Sequence, residues 1–155
     1  MGYTSRFLTL TKGNGVINRI FHSFGPYTGD MEGRRNGALI SIETGKAVAF
    51  AIFNLQARGE MFVTHNDPVY EGMIVGLASK SGDLEINVMK GKKLTNMRTQ
   101  GTDENVVLTP VRQMSIAEQL SMLNTDEALE ITPKSCRLRK AILNPHDRKR
   151  QSKAS

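Results

Sequence analysis

A chain of 155 residues has room for one ordinary domain with some additional structure, and too little for a multidomain enzyme. Its 39% hydrophobic and 23% charged residues exclude wholesale disorder, and no apolar run approaches the roughly 20 residues needed to span a bilayer. The single cysteine, Cys136, excludes an internal disulfide and a thiolate metal cluster, while the formal charge of +6 favours a polyanionic partner. With no charged start or apolar stretch of a signal peptide at residues 1–5, the expectation is a cytoplasmic protein.

The first two thirds of the chain read as strands and turns, because short apolar runs are broken by glycine at intervals too brief for regular helices. Residues 7–11 alternate apolar and polar, Lys12-Gly13-Asn14-Gly15 supplies turn chemistry, and 16–21 resumes as a second strand, so a hairpin is expected. Asn36-Gly37 leads into a strand at 38–42, Glu43-Thr44-Gly45 turns again, and the continuous apolar run 46–53 predicts a buried strand. Further strands are expected at 59–63, 72–77 and 84–89, separated by Asn66-Asp67-Pro68 and Ser81-Gly82-Asp83. The sum is a mostly β (α+β) chain built on an antiparallel sheet or barrel-like domain.

After Pro110 the period changes. Ser115 with Glu118 forms a capping box, and Ile116, Leu120 and Leu123 recur at helical spacing, which predicts one short helix near 115–124. Residues 129–133 should be extended, since Ile131 and Thr132 run into Pro133 and the residue before proline avoids the α region. Next, Cys136 and Leu138 alternate with Arg137 and Arg139, so a strand here puts two guanidinium groups on one face and two apolar groups on the other. Asn144-Pro145 opens a basic tail, 144–155, as an N-cap followed by proline at the first helical position; that tail is expected to become helical on binding.

Two clusters carry candidate binding chemistry. In the first, Lys90, Lys92, Lys93 and Arg98 can neutralise phosphates, Thr95 and Asn96 can hydrogen-bond sugar or base edges, and Leu94 and Met97 offer soft surfaces to bases. A solvated hairpin tip accounts for the same composition. The second cluster, Lys134, Arg137, Arg139, Lys140 and the tail, suits electrostatic docking, because arginine forks match phosphates bidentately; its bland alternative is a solubilising basic tail. Enzyme motifs are missing from the sequence: Gly91-Lys92-Lys93 and Gly45-Lys46-Ala47 both lack the rest of a phosphate-binding loop, and Gly13-Asn14-Gly15 lacks the third glycine of a dinucleotide fingerprint. His22, His65 and His146 have no metal-ligand spacing, and no two carboxylates pair as acid and base.

The stretches Tyr70-Glu71-Gly72-Met73-Ile74-Val75-Gly76 and Gly91-Lys92-Lys93-Leu94-Thr95-Asn96-Met97-Arg98 resemble signature segments of the C-terminal domain of TypA/BipA-type translational GTPases. The resemblance continues through Arg35-Asn36-Gly37, Gly45-Lys46-Ala47-Val48-Ala49-Phe50, Leu55-Gln56-Ala57-Arg58-Gly59, Glu130-Ile131-Thr132-Pro133 and Arg137-Leu138-Arg139-Lys140, covering nearly the whole chain in order. Residues 5–11 are similar to the last strand of the elongation-factor-G-like domain that precedes this module in the family. The implied division is therefore 1–27 for the end of that neighbour, 28–143 for the family's own C-terminal domain and 144–155 for the basic tail. Thr99, Val111 and Asn124-Thr125 depart from the family's usual pattern, and touch the end of the 115–124 helix rather than the basic loop.

The resemblance implies a module of a ribosome-binding GTPase that supports translation or large-subunit assembly under stress, notably cold. It implies no cofactor and no enzymatic activity for this chain, with GTP and Mg belonging to the parent protein. The implied partners are large-subunit rRNA and A-site tRNA, with the chain acting as a monomer away from membranes. Carried over position by position, the RNA-binding role falls on Lys90, Lys92, Lys93, Asn96 and Arg98, and on Arg137, Arg139 and Lys140 for rRNA contact or for packing the base of the loop. Two other readings stay open from the residues alone: a free-standing RNA-binding protein, and a basic module that docks on an acidic protein.

Overall fold

The computed structural model describes residues 3–27, 34, 36–91 and 107–154. Its centre is a four-stranded sheet in the order β3-β5-β1-β6, formed by β1 (Ala38–Ser41), β3 (Gly59–Met61), β5 (Ile74–Ala78) and β6 (Leu84–Ile86). Strand β1 pairs antiparallel with β5 and parallel with β6, so the sheet is mixed where an antiparallel one was expected. Two short ladders accompany it, β2 (Gly45–Lys46) with β4 (Pro68–Val69) and β7 (Glu127–Ile131) with β8 (Cys136–Lys140). Among the described residues these three sheets are open. The chain is α+β as expected, without closing into a barrel.

Every residue of β1 and β5 is buried, because the central sheet is covered on both faces. Successive side chains go to opposite sides: Leu39 and Val75 join one core cluster with Ala47, Ile52, Val69 and Val88, while Ala38, Ile40 and Ile74 join another with Leu138. The first face is roofed by helix α2 (Ala49–Gln56) and the β2–β4 ladder, the second by the β7–β8 hairpin and the segment leading into helix α3 (Ile116–Ser121). Gly72, at φ +83°, links the layers: its N–H donates to Ser41 O (2.9 Å) and its carbonyl accepts from Lys140 N–H (2.9 Å). A Cβ there would meet the Leu143 backbone at 2.6 Å, so both conformation and space require glycine.

Two segments expected as strands are helical instead. Residues 49–56 form α2 rather than the interior of a buried strand; an apolar run of that length has no decisive period, and three alanines in 47–51 favour the helix. His65 Nδ1 accepts the Ala49 N–H (3.2 Å) at its start, a structural use for one of the three histidines. Residues 7–11, expected as a strand, lie mostly in helix α1 (Tyr3–Leu10), and 16–21 forms no helix or strand, so the expected hairpin is not formed. A strand needs a partner for its backbone, whereas a helix satisfies its own. The turn residues behave as their chemistry demands, with Lys12 and Gly13 at positive φ, but here they end a helix, Gly13 N–H donating to Leu8 O (2.8 Å).

Two helix starts follow the sequence. Ser115 Oγ accepts Glu118 N–H (3.3 Å) while Glu118 Oε2 accepts Ser115 N–H (2.9 Å), completing the capping box of α3. Asn144 Oδ1 accepts the His146 N–H (2.9 Å) ahead of helix α4 (Pro145–Ala154). That helix is present in the chain by itself, where binding was expected to be needed, because Arg148 and Lys149 tie it to Glu85 of β6 at 3.0 and 3.3 Å.

Candidate nucleic-acid interface

The eight sequence-predicted site residues divide into three sets. Lys92, Lys93, Asn96 and Arg98 lie outside the described residues. Lys90 is described: it stands exposed just beyond the Val88–Met89 turn and forms no ion pair or hydrogen bond with another described residue. Its approach is fixed from inside, since Val88 is fully buried and its carbonyl accepts the Val48 N–H (2.9 Å) beside α2. The remaining three, Arg137, Arg139 and Lys140, all lie on β8.

Alternation sends Arg137 and Arg139 to one face and Cys136, Leu138 and Lys140 to the other. Arg137 and Arg139 are half-buried. Arg137 Nη1 lies 3.3 Å from Glu130 Oε1 on the facing strand, and the other oxygen of Glu130 accepts the Tyr70 hydroxyl at 2.5 Å. Burial, the hydrogen bond to Glu130 and the charge of Glu130 push the Tyr70 phenol up to about 12, so it remains a proton donor throughout the physiological range. Arg139 donates to the carbonyls of Lys140 (3.1 Å) and Ala141 (3.4 Å), and its backbone bridges Met73 at the head of β5. These contacts orient both guanidinium groups without exhausting their five donors each.

Lys140 is a different residue from the one its charge suggested. It is 1% exposed, and its ammonium is enclosed by Asp83 (2.5 Å), Asp126 (2.7 Å) and Glu127 (3.1 Å). Burial alone would pull its pKa down, but the hydrogen bonds to Asp126, Asp83 and Glu127 together overcome that and hold it above the ordinary lysine value. Asp83 shows the counterpart: burial would raise it, and the Ala38 N–H (2.7 Å) with the Lys140 ammonium brings it below the usual aspartate value. Glu127 also takes Arg34 at 2.8 Å. The lysine is thus spent inside the domain, closing the hairpin onto the central sheet. Period two was enough to find this, because Lys140 shares the inward face with Leu138.

The sequence assigned no role to Arg34, Tyr70 or Glu130, which hold the hairpin; Tyr70 and Glu130 stand in family stretches, but their contact joins residues far apart in the chain. Among the described residues no group of three or more His, Cys, Asp and Glu is arranged to hold a metal ion, and no helix is long and apolar enough to cross a membrane.

Comparison with known proteins identifies the family. Residues 36–145 match the family model described as the TypA/BipA C-terminal domain. Over 154 residues the chain is 47% identical to the large ribosomal subunit assembly factor BipA of Buchnera aphidicola subsp. Schizaphis graminum, covering 99% of this chain and 25% of that protein. It is 46% identical to the factor of the same name from Escherichia coli over 155 residues, covering 99% of this chain and 26% of the relative. The protein of that name from Salmonella typhimurium is 46% identical over 154 residues, with 99% and 25% covered. The chain spans about a quarter of the length of these curated relatives. It belongs to the TypA/BipA C-terminal domain family.

Proposed function

We propose that this chain is the ribosome-binding C-terminal module of a TypA/BipA-type translational GTPase, supporting translation or assembly of the large ribosomal subunit under stress. The observation that carries this reading is the identity of 46–47% along essentially the whole chain to proteins named as large ribosomal subunit assembly factors. On this reading GTP and Mg are bound by parts of the parent protein outside the matched quarter, and this chain contributes affinity and position rather than catalysis. Residues 1–27 close the preceding domain, 28–143 form the module and 144–155 the basic tail, all acting as a cytoplasmic monomer.

The module's contact with rRNA and A-site tRNA falls to the basic loop, through Lys90, Lys92, Lys93, Asn96 and Arg98, with Arg137 and Arg139 supplying oriented guanidinium forks at β8. Two features support that assignment: Lys90 is exposed and unpaired among the described residues, and the β8 arginines keep free donors on a face anchored by the buried Lys140. Cosedimentation with large ribosomal subunits across a salt series tests it. The native chain should bind with an affinity that falls with salt, and the combined Lys92→Ala, Lys93→Ala, Arg98→Ala variant should bind more weakly, its slope shallower by about 0.7 for each phosphate no longer neutralised. Identical curves for the two proteins would remove the loop from the interface.

A further inference from the structure

Between the 111–114 segment, α3 and the start of β8 lies a cleft of about 530 Å³, within the size range of small-ligand sites. Its apolar lining includes Met114 and Leu138, and its charged groups are Arg112, Lys134 and Arg137 with Asp67 as the one carboxylate. Lys134 is exposed and pairs with no described carboxylate, and Arg112 only loosely spans Glu60 (3.5 Å) and Glu118 (3.7 Å). Gln119, also on the lining, presents the unusual feature: its Oε1 is buried and has no hydrogen-bond partner among the described residues. Its Nε2 donates weakly to Met114 O (3.4 Å), and turning the amide over would set two oxygens against each other, so the orphaned acceptor follows from the surroundings. Buried polar atoms are nearly always paired, and an exception at the wall of a cleft is a position waiting for a donor.

From this combination we infer that the cleft takes one unstacked nucleotide of a single-stranded RNA segment. An N–H on the base edge would donate to Gln119 Oε1, the base would lie against Met114 and Leu138, and the flanking phosphates would meet Lys134 and Arg137. Each of the four bases carries such an N–H, so the site selects for an extruded base more than for its identity. The inference rests on the RNA-binding reading, because Arg137 is shared between the cleft and the proposed interface. It adds a base-reading pocket to what would otherwise be phosphate contact alone.

Cys136 lines the same cleft as a free, half-buried thiol, and so reports on its occupancy. The test is the rate of Cys136 alkylation by iodoacetamide in the full chain, measured with a single-stranded RNA oligomer and with an oligomer of equal length whose bases are removed. Binding of each oligomer is followed in parallel by fluorescence anisotropy. The base-bearing RNA should slow alkylation, the abasic one should bind without doing so, and Gln119→Leu should weaken protection roughly tenfold, as expected when a buried acceptor is removed from a hydrogen bond. The same variant should change the urea midpoint little, since it removes an unsatisfied acceptor together with only the long 3.4 Å hydrogen bond to Met114 O. Equal protection by the two oligomers, or RNA bound with no protection, would overturn the cleft while leaving the RNA-binding reading intact. Absence of binding to either oligomer and to ribosomal subunits would overturn both.

Discussion

The central sheet and the β7–β8 hairpin are held by opposite kinds of chemistry. In β1 and β5 every position is buried, and the contacts are between aliphatic side chains on two faces. The hairpin buries Glu127, Leu138 and Lys140, so two of its three buried groups are charged. Apolar burial is non-directional and tolerates small shifts, whereas a buried ammonium with three carboxylates holds one geometry. The sheet therefore supplies stability, and the hairpin supplies a fixed orientation for Arg137 and Arg139 on its outer side.

The largest expected effect comes from breaking that charged knot. Lys140→Met keeps the stem but leaves Glu127, whose side chain is fully buried, with Arg34 as its one described cation beside the Asn124 N–H, and strips Asp83 and Asp126 of their common partner. The cost should be about 3–5 kcal/mol, the usual result of removing one member of a buried ion cluster. Leu39→Ala, a cavity in the sheet, should cost about 2–5 kcal/mol. Urea unfolding gives both totals, and hydrogen exchange separates them: Lys140→Met should release the β7 and β8 amides first, Leu39→Ala the whole sheet together. If Lys140→Met exposes both regions equally, the hairpin and sheet are one cooperative unit and the contrast between them fails.

A smaller effect is expected from alkaline pH, which acts on the hairpin and spares the sheet. Tyr70 and Lys140 both bind their protons more tightly in the fold than in the unfolded chain. Their contribution to stability is therefore complete below the unfolded values near 10 and 10.5, and declines as pH rises, for Tyr70 between 10 and about 12. The urea midpoint should fall above pH 10, and Tyr70→Phe should flatten the first part of that fall. An unchanged profile in Tyr70→Phe would mean that its hydrogen bond to Glu130 contributes nothing to the hairpin.

The same contrast explains what the sequence revealed. Where a segment carries its own hydrogen-bonding instructions, it could be read directly: the Ser115–Glu118 box, the Asn144-Pro145 start of α4 and the alternation of β8 are all in place. Residues 49–56 were not legible because a short apolar run specifies burial, not period, and α2 exists by packing Ile52 onto the sheet. The parallel β1–β6 pairing was hidden for a related reason, as register between distant strands is set by which faces are covered. On β8, positive charge marked the basic residues but not which of them are buried. Lys140 and Arg139 look alike in composition, and only their opposite faces on β8 separate an internal clamp from an outward fork.

The smallest effect concerns α4, the other place where charge joins a basic element to the sheet. Glu85 accepts Arg148 at 3.0 Å and Lys149 at 3.3 Å; its partial burial would raise its pKa, but the two cations hold it below the ordinary glutamate value. Unlike Lys140, Lys149 is 67% exposed along its side chain, so solvent screens the pair and the arrangement is worth little globally. Glu85→Gln should leave the unfolding free energy from urea titration within about 0.5 kcal/mol of the native chain's, as for an exposed ion pair. It should nevertheless speed hydrogen exchange in 145–154, because the helix is tied to β6 through Arg148, whose Nη1 also donates to the carbonyls of Ile142 (3.1 Å) and Leu143 (2.5 Å). Should exchange in α4 stay unchanged, those two carbonyls alone hold the helix. The basic tail would then be fixed by its own cap and backbone, and its surface lysines would be free of internal competition when a polyanion approaches.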